Sequence, residues 1–169
     1  MIEINVLIPF LIASISLTIS PGPDIICVLS QSISQGKSAG IALSLGLVLG
    51  IIIHTSLIAV GVSAFLVNSP SIFYTVKILG ATYLFWIAFK IFKAPHHISL
   101  DKVETQKSNI KLVQQGFLMN VLNPKVTIFF LAFFPGFINP NNSNSLLQIY
   151  ILGFLFMLQA FLIFTSVSL

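Results

Sequence analysis

Charge is scarce in this chain: only 7% of its residues are Asp, Glu, Lys or Arg, arginine is absent, and acidic side chains number four. A soluble domain carries about 25% charged residues. With 56% of residues hydrophobic and a mean hydropathy of +1.03, an ordinary soluble fold is excluded. The basic residues are eight lysines scattered over helix ends and one loop. They form no basic groove and no aromatic-basic interleaving, so nucleic acid is excluded as a partner despite the formal charge of +4. Cysteine occurs once, at Cys27 in an apolar run, where it reads as an inert core thiol. A disulfide within the chain and a dithiol electron carrier are both excluded, since each needs two. No nucleophile-base constellation and no Walker-type glycine loop is found, so an enzyme is not expected. Glu3 follows Met1 with no lysine nearby, which argues against a cleaved secretory leader.

Long apolar runs are what the chain has instead. Crossing a bilayer takes about 20 apolar residues, so 169 residues hold at most five or six helices and leave no room for a soluble domain. The expected fold is an all-α integral membrane protein with five spans, at about residues 4–30, 39–67, 71–92, 116–138 and 146–169. Lys37 lies in the first loop, and Lys90, Lys93, Lys102, Lys107 and Lys111 crowd the third, whereas Asn68 to Pro70 and Asn139 to Ser145 carry no charge. Lysine-rich short loops stay on the cytoplasmic side, which places the N-terminus outside and Tyr83 and Trp86 near the inner interface. Lys77, toward the outer end of span three, is expected to snorkel outward.

Two spans are interrupted. Ser20-Pro21-Gly22-Pro23-Asp24 breaks the first and Asn123-Pro124-Lys125 breaks the fourth. Proline removes a backbone donor, and broken backbone is tolerated in a membrane only where it is buried in protein or lines a polar cavity. Aligning Pro23 with Pro124 sets Asp24 against Lys125, and spans one and four enter the bilayer from opposite faces. This predicts two inverted three-helix repeats, residues 1–93 and 116–169, joined by a polar cytoplasmic linker at 94–115, with the third helix of the second repeat missing.

The candidate site follows from the breaks. An aspartate near mid-span costs about 2.5 to 3.5 kcal/mol on insertion, so Asp24 either caps the helix restarting at Pro23 or binds a cationic group or a proton. Lys125 either snorkels to the inner surface or turns inward to hold a carboxylate. Asp24 and Lys125 together match a zwitterionic amino acid. Asn120 and Asn123 replace backbone hydrogen bonds lost at the break or extend its polar lining. In span two, Ala42, Gly46, Gly50 and His54 recur every four residues on one stripe. Gly46 and Gly50 are read as helix-packing positions, and His54 as a packing or proton-handling residue facing the bundle interior. His96, His97, Asp101 and Glu104 share the polar loop, but adjacent histidines point different ways, so no metal is expected there.

These motifs, with Ser34-Gln35-Gly36-Lys37-x-x-Gly40, Lys77-x-x-Gly80-Ala81-x-Tyr83-Leu84 and Gly116-Phe117-x-x-Asn120, fall in an order that resembles the LysE/RhtB family of amino-acid exporters. The resemblance runs from the first span to the fifth. It implies a secondary transporter that exports homoserine, threonine, lysine or related amino acids across the bacterial inner membrane, driven by protons without ATP or another cofactor. Substrate, protons and lipid are the implied partners, with a homo-oligomer admitted. Asp24 is similar to the branch that includes threonine exporters, whereas Ile51 stands where many members carry Asp. The implied mechanism is alternating access about the two breaks, with Asp24 and Lys125 reading substrate charge and Asp24 or His54 coupling a proton. Members usually have six spans; with five, the alternative is a nontransporting fragment or accessory subunit.

Overall fold

The computed structural model describes residues 2–61, 70–93, 107–138 and 144–169. Among them there are seven α-helices, one 3-10 turn and no strand. Helix α1 (Ile4–Ile19) is followed after Ser20-Pro21-Gly22 by α2 (Pro23–Gln35), then α3 (Lys37–Gly61), α4 (Pro70–Lys93), α5 (Asn109–Val121), α6 (Pro124–Ala132), the 3-10 turn Phe134–Phe137, and α7 (Ser145–Ser168). The first expected span is therefore two helices, bent by 55° at the break. The fourth is α5 and α6, and α5 starts at Asn109, inside the stretch expected to be linker. His96, His97, Asp101, Lys102 and Glu104 lie outside the described residues.

By length and composition α3 and α7 can each cross a membrane, and the bent pair α1–α2 makes a third crossing if it counts as one span. Helix α4 is 24 residues long and carries Lys77, Lys90 and Lys93. Helices α1 and α7 follow a pattern suited to lipid. On α1 the exposed face is Ile4, Ile8, Ile12, Ile15 and Ile19, while Phe10, Ser14 and Thr18 point inward. On α7 Leu147, Ile151, Phe154, Leu158 and Leu162 face out, and Gln148, Gly153, Gln159 and Ala160 face in. Hydrocarbon gives no driving force for hiding leucine, so small and polar residues take the helix-helix seams instead.

Helix α3 is the hub, packing on α5, α7 and α2, while α1 lies against α7 and α4 against α6. Its contact with α5 is backbone on backbone. A Cβ on Gly46 would sit 2.0 Å from the carbonyl oxygen of Val113, and one on Gly116 would sit 2.2 Å from that of Leu43. Where α3 crosses α7, Gly153 instead makes room for the Thr55 side chain, whose Cγ2 and Oγ1 would lie 2.5 Å from a Cβ there. Phenylalanine fills the rest: Phe130 lies 4.7 Å from Phe134 and 5.4 Å from Phe156, and Phe10 lies 5.6 Å from Phe134, ring centre to ring centre. This aromatic layer ties α1, α6, the 3-10 turn and α7 together.

The turn between α2 and α3 uses Gly36 at φ +87, a left-handed conformation that favours glycine. The start of α5 is fastened to that turn, because Gln35 Oε1 accepts from the Lys107 backbone N–H at 3.1 Å and Asn109 donates to Ser38 Oγ at 3.2 Å. Lys37, Lys107 and Lys111 thus gather at one end of the bundle. On α4, Lys90 lies 4.9 Å over Trp86 and Lys93 lies 4.6 Å over Phe89, an arrangement of cations on aromatic faces suited to a membrane interface.

Candidate functional site

The two breaks meet, and each leaves a backbone oxygen without its helical donor. In α1 the carbonyl of Leu17 would take the N–H of residue 21, but Pro21 has none. The chain turns at Ser20, whose N–H still reaches Ser16, and α2 restarts with Pro23 in its first turn. Asp24 follows, at the positive end of α2, where a carboxylate is favoured. In α5 the carbonyl of Asn120 loses the donor of residue 124 to Pro124. Asn123 caps α6 by accepting the Lys125 backbone N–H on Oδ1 at 3.0 Å.

Side chains from elsewhere fill both gaps. The Lys125 ammonium donates to the carbonyl oxygens of Leu17 and Ser20, each at 3.1 Å. A cation at the start of α6 opposes that helix's own dipole, yet here it serves the negative end of α1. Nε2 of His54 lies 3.2 Å from the carbonyl oxygen of Asn120, which also accepts the Asn123 N–H at 3.0 Å. A carbonyl only accepts, so Nε2 carries the hydrogen.

Charge is paired across the same junction. Lys125 Nζ is 3.6 Å from Asp24 Oδ2, an electrostatic contact longer than a good hydrogen bond. The carboxylate's direct hydrogen bond comes from Asn123, whose Nδ2 donates to Oδ1 at 2.5 Å. Asn123 therefore spends one end of its amide on α6 and the other on Asp24. All five predicted polar residues are buried, with Asp24 at 2%, Asn120 at 3%, Asn123 and His54 at 4% and Lys125 at 5% exposure. Lys125 does not snorkel. Lys77, by contrast, is exposed on α4.

Pro21, Pro23 and Pro124 are exposed at the breaks, and Gly22 passes close enough that a Cβ there would lie 3.0 Å from Lys125 Nζ. Gly50 abuts Asn120, where a Cβ would come within 2.7 Å of Oδ1. That Oδ1 is buried with no hydrogen-bond partner. Asn120 also lines a cavity of about 10 Å³ with Thr18, Asp24 and Lys125, roughly the space of one water and far below an amino acid. A second cavity of about 280 Å³ reaches Lys125 between Ser16, Ser20, Leu84, Ile87, Phe129 and Phe133. Its lining is apolar apart from the two serines and the lysine.

Some participants have no sequence signature. The carbonyls of Leu17 and Ser20 belong to every residue alike, and only the fold shows that they converge on Lys125. Gln159 is different: a glutamine within the apolar run 151–164 of α7 is a visible signal, and its Nε2 donates to Thr18 Oγ1 at 3.0 Å and to the Ser14 carbonyl at 3.5 Å. It fixes α7 to α1 just before the first break.

Comparison with known proteins gives a family. The family described as LysE type translocator matches residues 15–169. A homoserine/homoserine lactone efflux protein of Salmonella typhimurium is 33% identical over 144 residues, covering 85% of this chain and 69% of the relative. The membrane protein YrhP of Bacillus subtilis is 33% identical over 136 residues, covering 75% of this chain and 65% of its own. A membrane protein of Vibrio cholerae is 26% identical over 142 residues, covering 84% and 69%. The matches thus span 65 to 69% of the length of these relatives. No solved structure matches the chain.

Proposed function

Because the chain belongs to the LysE type translocator family, we propose that it exports amino acids of the homoserine, threonine or lysine kind across the bacterial inner membrane, by proton antiport and alternating access. The observation that carries this reading is the buried Asp24–Lys125 pair, drawn from two helix breaks roughly a hundred residues apart in the chain and joined between them. Charged groups are retained inside a membrane bundle where they serve transport, and broken helices are where transporters place their sites.

A zwitterionic amino acid such as homoserine or threonine carries the same two charges as the pair. Its carboxylate takes the place of Asp24 beside Lys125, and its ammonium takes the place of Lys125 beside Asp24. With neither charge left bare, the loaded and the empty protein both remain neutral at the junction. The two halves then rock about the breaks, opening the site to one side and the other in turn. Asp24 or His54 takes up the counter-transported proton.

The arrangement of the helices supports an inverted repeat of five spans. Helix α5, the first piece of one broken span, lies on α3, while α1, the first piece of the other, lies on α7. Exchange of the halves converts one contact into the other. The lysine-rich end formed by Lys37, Lys107 and Lys111 supports a cytoplasmic assignment for that end and an outside N-terminus.

Efflux from proteoliposomes tests the proposal. Asp24→Asn and Lys125→Met are each expected to change amino-acid selectivity or abolish proton-coupled export. Unchanged selectivity and unchanged coupling in both variants would remove these roles.

A further inference from the structure

We propose that the carbonyl oxygens of Leu17 and Ser20 together with the Asp24 carboxylate form an ammonium-binding cage, occupied by the Lys125 side chain in this state and taken over by the primary ammonium of a substrate when Lys125 leaves.

Three observations lead there. The two carbonyls lie at the negative end of α1, and that of Leu17 is left without its helical donor by Pro21. Both sit 3.1 Å from Nζ, an ordinary N–H···O distance, and Asp24 Oδ2 stands 3.6 Å away on the carboxylate side. An ammonium has three donors and no acceptor: two of them meet the carbonyls, and the carboxylate balances its charge from 3.6 Å. Finally, two of the oxygens are backbone atoms, and the Asp24 carboxylate is also held through its other oxygen by Asn123 Nδ2.

Lys125 is tethered from α6, whereas the cage belongs to α1 and α2. The ammonium can therefore leave while the oxygens stay. The cavity of about 280 Å³ is continuous with Lys125 and Ser20, giving the displaced side chain and an entering molecule a place to exchange. Lys125 then meets the substrate carboxylate as the substrate ammonium enters the cage. Free carboxylic acids without an amine fill only half of the arrangement and leave the cage bare. The takeover by substrate rests on the transport reading, but the existence of the cage does not.

Methylammonium is the probe, with choline at equal ionic strength as the cation too large to enter. Lys125→Ala opens the cage, and its thermal midpoint in detergent is expected to rise by roughly 3 to 6 °C once methylammonium reaches about ten times its dissociation constant. Lys125→Met keeps the site filled by its stem and is expected to show no such rise. Lys125→Ala combined with Asp24→Asn is expected to lose most of the response. If Lys125→Ala aggregates in choline, recovery of monodisperse protein in methylammonium is the expected result. Equal behaviour of Lys125→Ala in the two salts, whether folded in both or aggregated in both, overturns the cage. A methylammonium response in a protein that exports no amino acid would keep the cage and remove the transport reading.

Discussion

Nε2 of His54 holds the carbonyl oxygen of Asn120 at 3.2 Å, across 66 residues of sequence, at the point where Pro124 withholds the helical donor. Lys125 does the same for Leu17 at the other break. Both prolines thus create an acceptor that a titratable side chain from a different helix satisfies. Helix breaks in lipid need such partners, because an unpaired backbone oxygen costs several kcal/mol there. The consequence is that each break is closed by a side chain from a different helix.

For His54 the donor is the part that counts. His54→Leu leaves the Asn120 oxygen with its remaining hydrogen bond from the Asn123 N–H, and the loss is expected to be about 0.5 to 1.5 kcal/mol. His54→Gln supplies an amide N–H at comparable reach and should recover part of it. Thermal unfolding of the two variants in detergent checks the order: a His54→Gln protein no more stable than His54→Leu would show that ring packing on Phe130, at 5.4 Å, outweighs the hydrogen bond.

Asp24 and Lys125 are expected to be strongly non-additive. Removing one member of a buried pair strands the other charge at a cost of about 3 to 5 kcal/mol, whereas removing both strands none. Asp24→Asn with Lys125→Met should therefore be less damaging than the sum of the single changes. A double-mutant cycle on unfolding free energy reads the coupling directly. Additive losses would mean that the Leu17 and Ser20 carbonyls, and not the carboxylate, are the main partners of the ammonium.

Much of this junction is written locally in the sequence. Proline followed by one charge, twice, locates both breaks and names Asp24 and Lys125, because the loss of a donor is a property of one residue. The four-residue spacing of Ala42, Gly46, Gly50 and His54 likewise sets a buried face on α3. Contacts set by topology are not written that way. Nothing in Lys125 says that its ammonium ends on α1, and Asn109 to Gln115 are polar enough to read as linker although they form the first turns of α5. That helix is polar because its start lies at the bundle end beside Gln35 and Ser38.

Asn123 is predicted to tolerate neither of its nearest replacements, for different reasons. Asn123→Ala removes the cap on α6, worth about 1 kcal/mol, and the donor to Asp24 as well. Asn123→Asp retains the acceptor for the Lys125 N–H but sets a second carboxylate against the first. Like charges at that separation repel, so Asn123→Asp should be the less stable of the two at neutral pH despite its smaller change in shape. The comparison needs only their thermal midpoints. The reverse order would show that the cap on α6 contributes more than the link to Asp24.

The close crossing of α3 and α5 gives the sharpest steric test. A methyl at Gly46 would stand 2.0 Å from a backbone oxygen of Val113, and one at Gly116 would stand 2.2 Å from that of Leu43. Backbone cannot rotate out of the way as a side chain can, so either change must push the helices apart. Overpacking of this kind costs typically about 1 to 3 kcal/mol. It should also displace Asn120 from His54, since both sit on the same two helices. Gly136→Ala is the control, because nothing lies within 4 Å of its Cβ position. We expect Gly46→Ala and Gly116→Ala each to lower the unfolding temperature by several degrees and Gly136→Ala to leave it nearly unchanged. The two α3–α5 changes made together should cost less than their sum, because a single separation of the helices relieves both clashes. Full additivity would mean that the two helices yield independently at each glycine, and that the seam is not the rigid support for the second break that its geometry implies.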